Sequence, residues 1–422
     1  MGVRHSPVTE SPTVSSFAPL RRRAFRIVWI GALISNVGSW MQAASLGYYT
    51  ANLTGSAGWS AAVAAAEFAP TALLGPIGGA LADRLPRKLV VLAMTITQGL
   101  LAGLLTWAMI FGSPGAPMLF MFALANGCSF ALGFPSSSAL LPELVPPEEI
   151  GAAVGLSSAS WNLGRVVGPL LGTLLYQQIG LAWVLAINTL SFVAVGVSLL
   201  TISIVHTPRT PSPLFASIRE GFRYVSSTPS LRVNAQALCL NTLFVAPFIG
   251  LIPAMVEKEL GGGKQAVGWL ITGQGLGAVI TGLTFGKLVA RYGPRRVMLG
   301  SITGGPLAVI LYALSPSWEW AVVPILVCGA LYFGALSSFS TVSNLQAPSE
   351  LRGRVLSLNQ VILGAVYAVS LNVEGQLGDR LGLRQVAIGG AVLGLVVLLV
   401  IRTLRPGYSA SLDPPEAVVS PS

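Results

Sequence analysis

The chain has 422 residues, of which 53% are hydrophobic and only 9% are charged. An ordinary soluble domain carries about 25% charged residues, so this composition argues against a soluble globular protein. The net charge of +10 does not indicate a nucleic-acid partner, because no basic patch interleaved with aromatic residues accompanies it on a soluble segment.

Twelve apolar segments follow one another along the chain. Crossing some 30 Å of hydrocarbon takes about 20 residues of helix, and each segment is about that long. Backbone in lipid must satisfy its own hydrogen bonds, so continuous runs of this length predict helices rather than the short alternating strands of a barrel. We therefore expect an all-α membrane protein of twelve transmembrane helices in two pseudo-symmetric six-helix halves. The predicted spans are 27–49, 58–82, 88–112, 117–138, 151–178, 181–205, 234–256, 265–290, 295–314, 318–340, 355–379 and 384–404.

Basic residues are distributed unevenly between the two sides of this topology. Of the 25 Lys and Arg residues, 20 lie in the tails and in the loops on the same side as the tails. Four lie on the other side, and Arg165 lies inside a span. Because positive charge marks the cytoplasmic face, we expect both termini to be cytoplasmic.

The connection 206–233 is the longest between two spans and separates the halves 19–205 and 234–405. It begins with several prolines and ends in a charged amphipathic stretch, which could lie along the membrane surface. The tails 1–18 and 406–422 are short and rich in Ser, Pro and Thr, so we expect them to be disordered cytoplasmic tails. The first apolar run is full length, which argues against a cleavable signal peptide.

A charged turn between the second and third spans is the most informative motif. Residues 79–88 read GALADRLPRK, and a weaker copy at 286–296 reads GKLVARYGPRR. Two copies half a chain apart indicate a duplicated transporter. Duplicated halves suit alternating access, in which the two halves rock around a site near the middle of the membrane.

The first copy of this turn resembles the signature of the major facilitator superfamily, G-x-L-A-D-R-x-G-R-[RK], and the resemblance covers nearly all of residues 19–405. Pro86 replaces the second glycine. In the second copy Ala290 stands at the acidic position, so the acid of the first half is expected to act alone, as a latch on the start of the eleventh helix near Gly353. The residues of this gating turn are Gly79, Asp83, Arg84, Arg87, Lys88, Arg291 and Gly293.

The fifth span carries a second signature, similar to the G-x-x-x-G-P-x-x-G-G element of exporters that run as proton antiporters. Its matching residues are Gly164, Gly168, Pro169 and Gly172. The alternative is an ordinary face of small residues for close helix packing. Such exporters often carry an Arg in the fourth helix, and this chain has none there, which weakens the inference of proton coupling. Short sequence motifs in and around the first span also resemble those of the bacterial branch that includes enterobactin-type siderophore exporters and macrolide efflux pumps.

Three charged residues lie well inside predicted spans, away from the span ends, where each costs roughly 2.5–3.5 kcal/mol even on a lenient scale and is a functional candidate. These coupling candidates are Glu67, Arg165 and Glu374. Family packing places the second helix beside the eleventh, so Glu67 and Glu374 are expected to approach each other and to carry protons. Arg165 is expected to serve as counter-ion for an anionic substrate or a glutamate. Local hydrogen bonding of each group is the alternative.

Amide and aromatic side chains on helices that the family directs inward are candidates for the cavity wall. Such a wall suits amphipathic compounds, although most such residues in a polytopic protein simply pack. The candidates are Asn36, Trp40, Gln42, Asn126, Asn162, Asn241, Phe244, Gln274 and Tyr367.

The resemblance implies a secondary transporter that exports a hydrophobic or amphipathic small molecule, of drug or siderophore type, by proton antiport. The alternative is an importer or facilitator of a polar metabolite. No enzyme motif, metal-ligand spacing or cofactor motif appears in the sequence, so we expect neither an enzyme nor a cofactor. The expected partners are a small-molecule substrate, protons and the lipid bilayer, with the chain as a monomer in the bacterial inner membrane.

Overall fold

The computed structural model describes residues 15–203 and 214–404, together with Gly407 and Leu412. In these residues it contains helices and short connections, without strands. Parts of both tails and the proline-rich start of the central connection lie outside the described residues. The long helices are α1 (Arg23–Thr54), α2 (Ala57–Arg84), α3 (Arg87–Phe111), α4 (Ala116–Leu140), α5 (Ile150–Ile179), α6 (Leu181–Leu200), α7 (Leu214–Ser227), α8 (Pro229–Phe244), α9 (Pro247–Met255), α10 (Gly263–Tyr292), α11 (Pro294–Ala313), α12 (Trp318–Gln346), α13 (Ser349–Leu381) and α14 (Leu383–Leu404).

Eleven helical segments of the described chain are long and apolar enough to cross a membrane. The sequence predicted twelve, and the additional one is α5, a helix of 30 residues. Its central part carries Arg165 and several small or polar residues, and this lowers its hydropathy. It packs against α1 of its own half and against α10 of the other half, so it lies at the contact between the halves.

The predicted span 234–256 is formed by two helices, α8 and α9. They are separated at Val245 and Ala246, whose backbone amides both donate to the carbonyl oxygen of Asn241. Pro247 begins α9; it has no backbone N–H to donate, which favours a helix break at this point. Beyond α9 the chain continues as a π-helical turn, Val256–Leu260.

The helices form two bundles, α1–α6 and α8–α14, joined through α7. Separate apolar clusters lie inside each bundle. The largest cluster is shared between them, because Ala57, Ala61 and Ala65 of α2 pack with Tyr367 and Leu371 of α13. Burial of apolar surface therefore holds the halves together along these two helices.

The two bundles contact each other along only one part of α2, α5, α10 and α13, towards one end of these helices. Along α2 and α13 the contacts run from Ser56, which donates to Asp379 at 2.5 Å, to the approach of Ala72 and Gly364. Along α5 and α10 they run from Thr173 beside Gly268 to Arg165 beside Gly275. We call the end of the bundle that holds Ser56 and Asp379 the closed end.

The opposite end of the bundle differs. Gly79 of α2 and Gly353 of α13 lie near it, and a Cβ atom at either would have no neighbouring side chain or second helix within 4 Å. Leu283, near that end of α10, is 79% exposed. The halves diverge here, and we call this end, which holds Gly79 and Gly353, the open end.

Candidate functional site

Arg165 lies at the middle of α5, where the contacts between the halves stop. Its Nη2 donates to Oε1 of Gln274 on α10 at 2.8 Å, and its guanidinium carbon lies 5.7 Å from the centroid of the Trp40 ring. The Nε atom is buried and has no hydrogen-bond partner among the described residues. A cation from one half is thus held by an amide from the other. Both residues were predicted as site residues.

Two tyrosines of the second half lie within electrostatic range of this cation. Tyr332 of α12 and Tyr367 of α13 both interact electrostatically with Arg165. The Tyr367 ring packs edge-on against Phe68 of α2, with centroids 5.7 Å apart, which places it at the contact between the halves. Tyr332 was not among the site residues predicted from the sequence. The available signal was a tyrosine within an otherwise apolar span.

An aromatic wall lies beside Arg165 in the first half, formed by Trp40, Phe130, Phe134 and Trp161. Trp161 precedes Arg165 by one helical turn; its ring centroid is 5.8 Å from that of Trp40 and 6.1 Å from that of Phe130. Trp161 is 37% and Phe134 38% exposed. These rings come from α1, α4 and α5, so they form a continuous apolar surface between helices.

Glu67 of α2 is directed towards α4. Its Oε1 accepts a long hydrogen bond of 3.4 Å from Nδ2 of Asn126, and it interacts electrostatically with Tyr367. It forms no ion pair with the residues that the structure describes. Glu67 is therefore an acid held by an amide, close to the contact between the halves.

Glu374 lies elsewhere, and the expectation that it approaches Glu67 is wrong. It faces α14, where its Oε1 lies 3.4 Å from the position of a Cβ at Gly390. It lines a cavity of about 20 Å³ inside the second half, together with Phe244 and Tyr312. The two helices do pack together, as expected, but Glu374 lies on a face of α13 that is directed towards α14 and away from Glu67.

Several predicted wall residues pack inside their own half. Gln42 is buried and accepts from Nδ2 of Asn188 on α6 at 2.9 Å, and Phe244 packs against Gly394 of α14. Their placement in the cavity wall is therefore wrong. Both contact an outer helix of their bundle, α6 for Gln42 and α14 for Phe244. The sequence pattern could not distinguish the face of a helix that points to an outer helix from the face that points to the centre.

The remaining amides differ in their partners. Nδ2 of Asn36 donates to Oγ of Ser160 at 2.9 Å, which ties α1 to α5. Asn162 is partly exposed and donates to the carbonyl oxygen of Ser158, one turn earlier. Asn241 is buried in α8, and neither its amide nitrogen nor its oxygen has a partner.

The glycine face of α5 packs on α1. A Cβ at Gly164 would lie 2.9 Å from the backbone of Asn36, and one at Gly168 would lie 2.6 Å from Cβ of Trp40. At Gly172 the nearest atom, the carbonyl oxygen of Met41, would be at 2.6 Å. Pro169 is buried between them. These glycines permit a close helix contact, and they bring Trp40 next to Arg165.

The charged turn at the open end is fixed to its own half. Arg87 is buried, forms an ion pair with Glu143 after α4, and donates from Nε to the carbonyl oxygen of Ala82 at 3.2 Å. Nζ of Lys88 donates to the carbonyl oxygen of Ile202, beyond the end of α6, at 2.6 Å. These basic residues hold the ends of α3, α4 and α6 together.

Asp83 and Arg84 form no side-chain hydrogen bond or ion pair within the described ranges, so the expected latch to the start of α13 is not formed here. Arg354, in the second turn of α13, instead pairs with Glu220 of α7. The reason is the divergence of the halves at the open end.

The second copy of the turn is present at the same end. Arg291 lies with its guanidinium carbon 5.3 Å from the Tyr292 ring. Gly293 ends α10 with a φ of +79°, a conformation that residues with a Cβ rarely adopt.

The closed end has a polar network that the sequence analysis missed. Asp379 accepts from the backbone amides of Ala57 at 2.7 Å and Gly58 at 2.9 Å, and Lys258 donates to it at 2.6 Å. Nearby, Nδ2 of Asn52 donates to Glu257 at 3.1 Å. The available signal was an acid in the last turn of a helix, where the helix dipole disfavours negative charge.

Comparison with known proteins gives consistent relatives. The profile of a family described as transmembrane secretion effector matches residues 14–421. The enterobactin exporter EntS of Salmonella typhi is 29% identical over 399 residues, which cover 90% of this chain and 93% of the exporter. The enterobactin exporter EntS of Escherichia coli O1:K1 / APEC is 30% identical over 353 residues, covering 78% of this chain and 80% of the exporter.

Solved transporter structures share the fold. A bacterial homolog to the human lysosomal transporter Spinster, in an inward-facing and unoccupied conformation, has a TM-score of 0.71 at 15% identity and covers 95% of this chain and 100% of its own. The nucleoside transporter NupG has a TM-score of 0.68 at 15% identity, over 90% of this chain and 99% of its own. At these identities the likeness shows the fold alone. Because the family profile covers nearly the whole sequence, the chain belongs to the transmembrane secretion effector family, within the major facilitator superfamily of membrane transporters.

Proposed function

We propose that this protein is a secondary exporter of amphipathic aromatic small molecules of the siderophore type, working by alternating access. One observation carries the proposal. The two halves contact each other only from the closed end to the middle of the bundle. The aromatic wall and Arg165 lie where that contact ends. A compound that enters from the open end would reach this wall, and rocking of the halves would release it at the other end.

The direction is inferred from charge. The open end carries the basic turns 79–88 and 286–296 and the ends of α6 and α14, with most of the 25 Lys and Arg residues of the chain. By the positive-inside rule this is the cytoplasmic end. Both termini are then cytoplasmic, and the protein lies in the inner membrane of a bacterium. The space between the halves at the open end would then load from the cytoplasm, as an exporter requires.

Proton entry is the proposed driving force. Glu67 is an acid in the interior of a span, and among the described residues its side chain is held by the long hydrogen bond from Asn126 at 3.4 Å. A carboxyl group in a low-dielectric setting can exchange protons near neutral pH. Its position beside Tyr367 links it to the contact between the halves, so protonation can bias their arrangement.

The relatives support the substrate class. Two of them are named as exporters of enterobactin, and the exposed rings of Trp161 and Phe134 suit an aromatic compound. The alternative of an importer for polar metabolites would require a wall dominated by charged and amide groups. The residues around Arg165 are mainly aromatic, which favours export. All of these residues belong to one chain, so the monomer suffices.

The proposal is tested by accumulation assays in a bacterium that lacks its own efflux pumps. Enterobactin, a macrolide and a polar nucleoside are supplied to cells that express the wild type or Asp83→Asn at equal levels. We expect the wild type to lower the cellular content of enterobactin, and the variant to behave like cells without the protein. Equal retention of enterobactin in wild-type and empty cells would reject the proposal, and increased nucleoside uptake would support the importer.

A further inference from the structure

Arg165 is a positive charge at the middle of the bundle with no negative partner among the residues that the structure describes. The one amide that it contacts, Gln274, is neutral. The predicted counter-ion Glu67 instead accepts a hydrogen bond from Asn126. Charged groups inside a membrane are costly and are normally paired. A cation left in this state indicates that a transient partner supplies the negative charge.

The hydrogen-bond inventory of the site points the same way. Nε of Arg165 and Nε2 of Gln274 are both buried donors without an acceptor in the part of the chain that the structure describes, and Gln274 is only 1% exposed. The amide oxygen of Gln274 accepts from Arg165, so its amide nitrogen lies close to the guanidinium. Buried donors without acceptors cost roughly 1–3 kcal/mol each. An anion with two oxygen atoms would satisfy both donors.

The surroundings limit the anion to one attached to an aromatic ring. Trp40 lies beneath the guanidinium at 5.7 Å and contacts Trp161 at 5.8 Å, so the aromatic wall begins next to the two free donors. Tyr332 and Tyr367 of the second half lie within electrostatic range of the same cation. A small hydrated ion would leave these rings unused, whereas an aromatic acid would use both the donors and the rings.

We propose that Arg165 and Gln274 form an anion subsite that binds the acidic group of an aromatic substrate. The inference rests on the proposed function and makes its substrate class more specific: the compound carries a carboxylate or an acidic phenol next to a ring. Arg165 belongs to the first half and Gln274 to the second, so one anion engages both halves at once. Binding there couples occupation of the cavity to the contact between the halves.

The test uses purified full-length protein in detergent, with salicylate as the probe and its neutral amide, salicylamide, as the matched compound. The midpoint of thermal unfolding is followed as each is titrated into the wild type, Arg165→Gln, Gln274→Leu and Lys264→Gln. Lys264 is the control, because it is a cation over the Tyr176 ring at the closed end, outside the subsite. The midpoint without ligand reports whether each variant is folded.

We expect salicylate, but not salicylamide, to raise the midpoint of the wild type and of Lys264→Gln. The apparent affinity should fall about tenfold or more in Arg165→Gln and in Gln274→Leu, because charge-assisted hydrogen bonds are lost. Three results would overturn the subsite: equal effects of salicylate and salicylamide, unchanged affinity in folded Arg165→Gln, or no effect of salicylate on the wild type.

Export in cells is measured separately, so the two proposals can fail independently. Salicylate binding that depends on Arg165, without enterobactin export, would reject the exporter and retain the subsite. Export with salicylate binding unchanged in Arg165→Gln would retain the exporter and reject the subsite.

Discussion

Asp379, in the last turn of α13, accepts a hydrogen bond of 2.7 Å from the backbone amide of Ala57, the first residue of α2. The acid of one half thereby caps a helix of the other half, and its charge faces the positive end of that helix dipole. Lys258 and Ser56 complete the network at 2.6 and 2.5 Å. This arrangement accounts for the closure of one end of the bundle.

Replacing Asp379 by Ala should open the closed end more often. Loss of a helix cap costs about 0.5–2 kcal/mol, which corresponds to a several-fold change in the populations of the two arrangements. The readout is the labelling rate of a cysteine at the buried position Ser60, with a membrane-impermeant maleimide, in a background whose natural cysteines are replaced. We expect faster labelling in Asp379→Ala.

The control is Glu319→Ala, which removes an acid at the same end. Glu319 accepts from Ser317 at 2.5 Å inside the second half, so its removal leaves the contact between the halves intact. Equal labelling rates in Asp379→Ala and Glu319→Ala would show that Asp379 does not hold the halves together.

Gly168→Ala should destabilise the protein, whereas Gly155→Ala should not. Both glycines lie in α5, but a Cβ at Gly168 would lie 2.6 Å from Cβ of Trp40, while one at Gly155 has nothing within 4 Å. Overpacking of this kind costs typically 1–3 kcal/mol. The thermal unfolding midpoint in detergent should fall for the first variant and stay level or rise for the second. The same midpoint in both would contradict the close packing of α5 on α1.

Asp83→Asn should nearly abolish export while membrane insertion is unchanged. The structure is open at the end that holds Asp83, and the Asp83 side chain has no partner there among the described residues. When the halves close at this end, Asp83 would approach the start of α13, where the helix dipole favours an anion. Transport is measured in proteoliposomes, and Glu148→Gln serves as the control because Glu148 is an exposed acid at the same end. Wild-type rates in Asp83→Asn would rule out the latch.

Glu67→Gln should separate substrate movement from proton movement. The amide cannot exchange a proton near neutral pH, yet it has a similar shape and can still pair with Asn126. In proteoliposomes, exchange of substrate across the membrane should persist, and uphill movement driven by a pH gradient should disappear. Glu374→Gln is the comparison, because that acid lies in a separate pocket. Uphill movement that is lost in Glu374→Gln but kept in Glu67→Gln would assign the proton to the second half.

Much of the fold could be predicted, because a bilayer demands long apolar helices and marks its cytoplasmic side with charge. The repeated turn at 79–88 and 286–296 predicted two related halves, and the pairing of α2 with α13 followed from the family. The break between α8 and α9 was missed, although Pro247 was a local signal. Hydropathy did not predict this break, because apolar residues have the same hydropathy whether they face lipid or the protein interior.

The site residues were harder to predict, because a helix in lipid has no polar face that shows which of its sides points into the bundle. Gln42 and Gln274 are both amides in apolar spans, yet one binds Asn188 within its half and the other binds Arg165 across the halves. Only the packing of the helices distinguishes them. Glu67 and Glu374 were expected to meet because their helices do, but Glu374 lies on the face of α13 that packs against α14.

Transport in everted membrane vesicles tests the central claim most directly. In these vesicles the cytoplasmic face is outside, so an exporter moves its substrate into the lumen, and a lumen more acidic than the medium supplies the driving gradient. We predict that enterobactin accumulates in vesicles that contain the wild type, above the level of vesicles from empty cells, and that the accumulation collapses when the gradient is dissipated. Accumulation in right-side-out vesicles instead, or no difference from empty vesicles in either orientation, would contradict export through this chain.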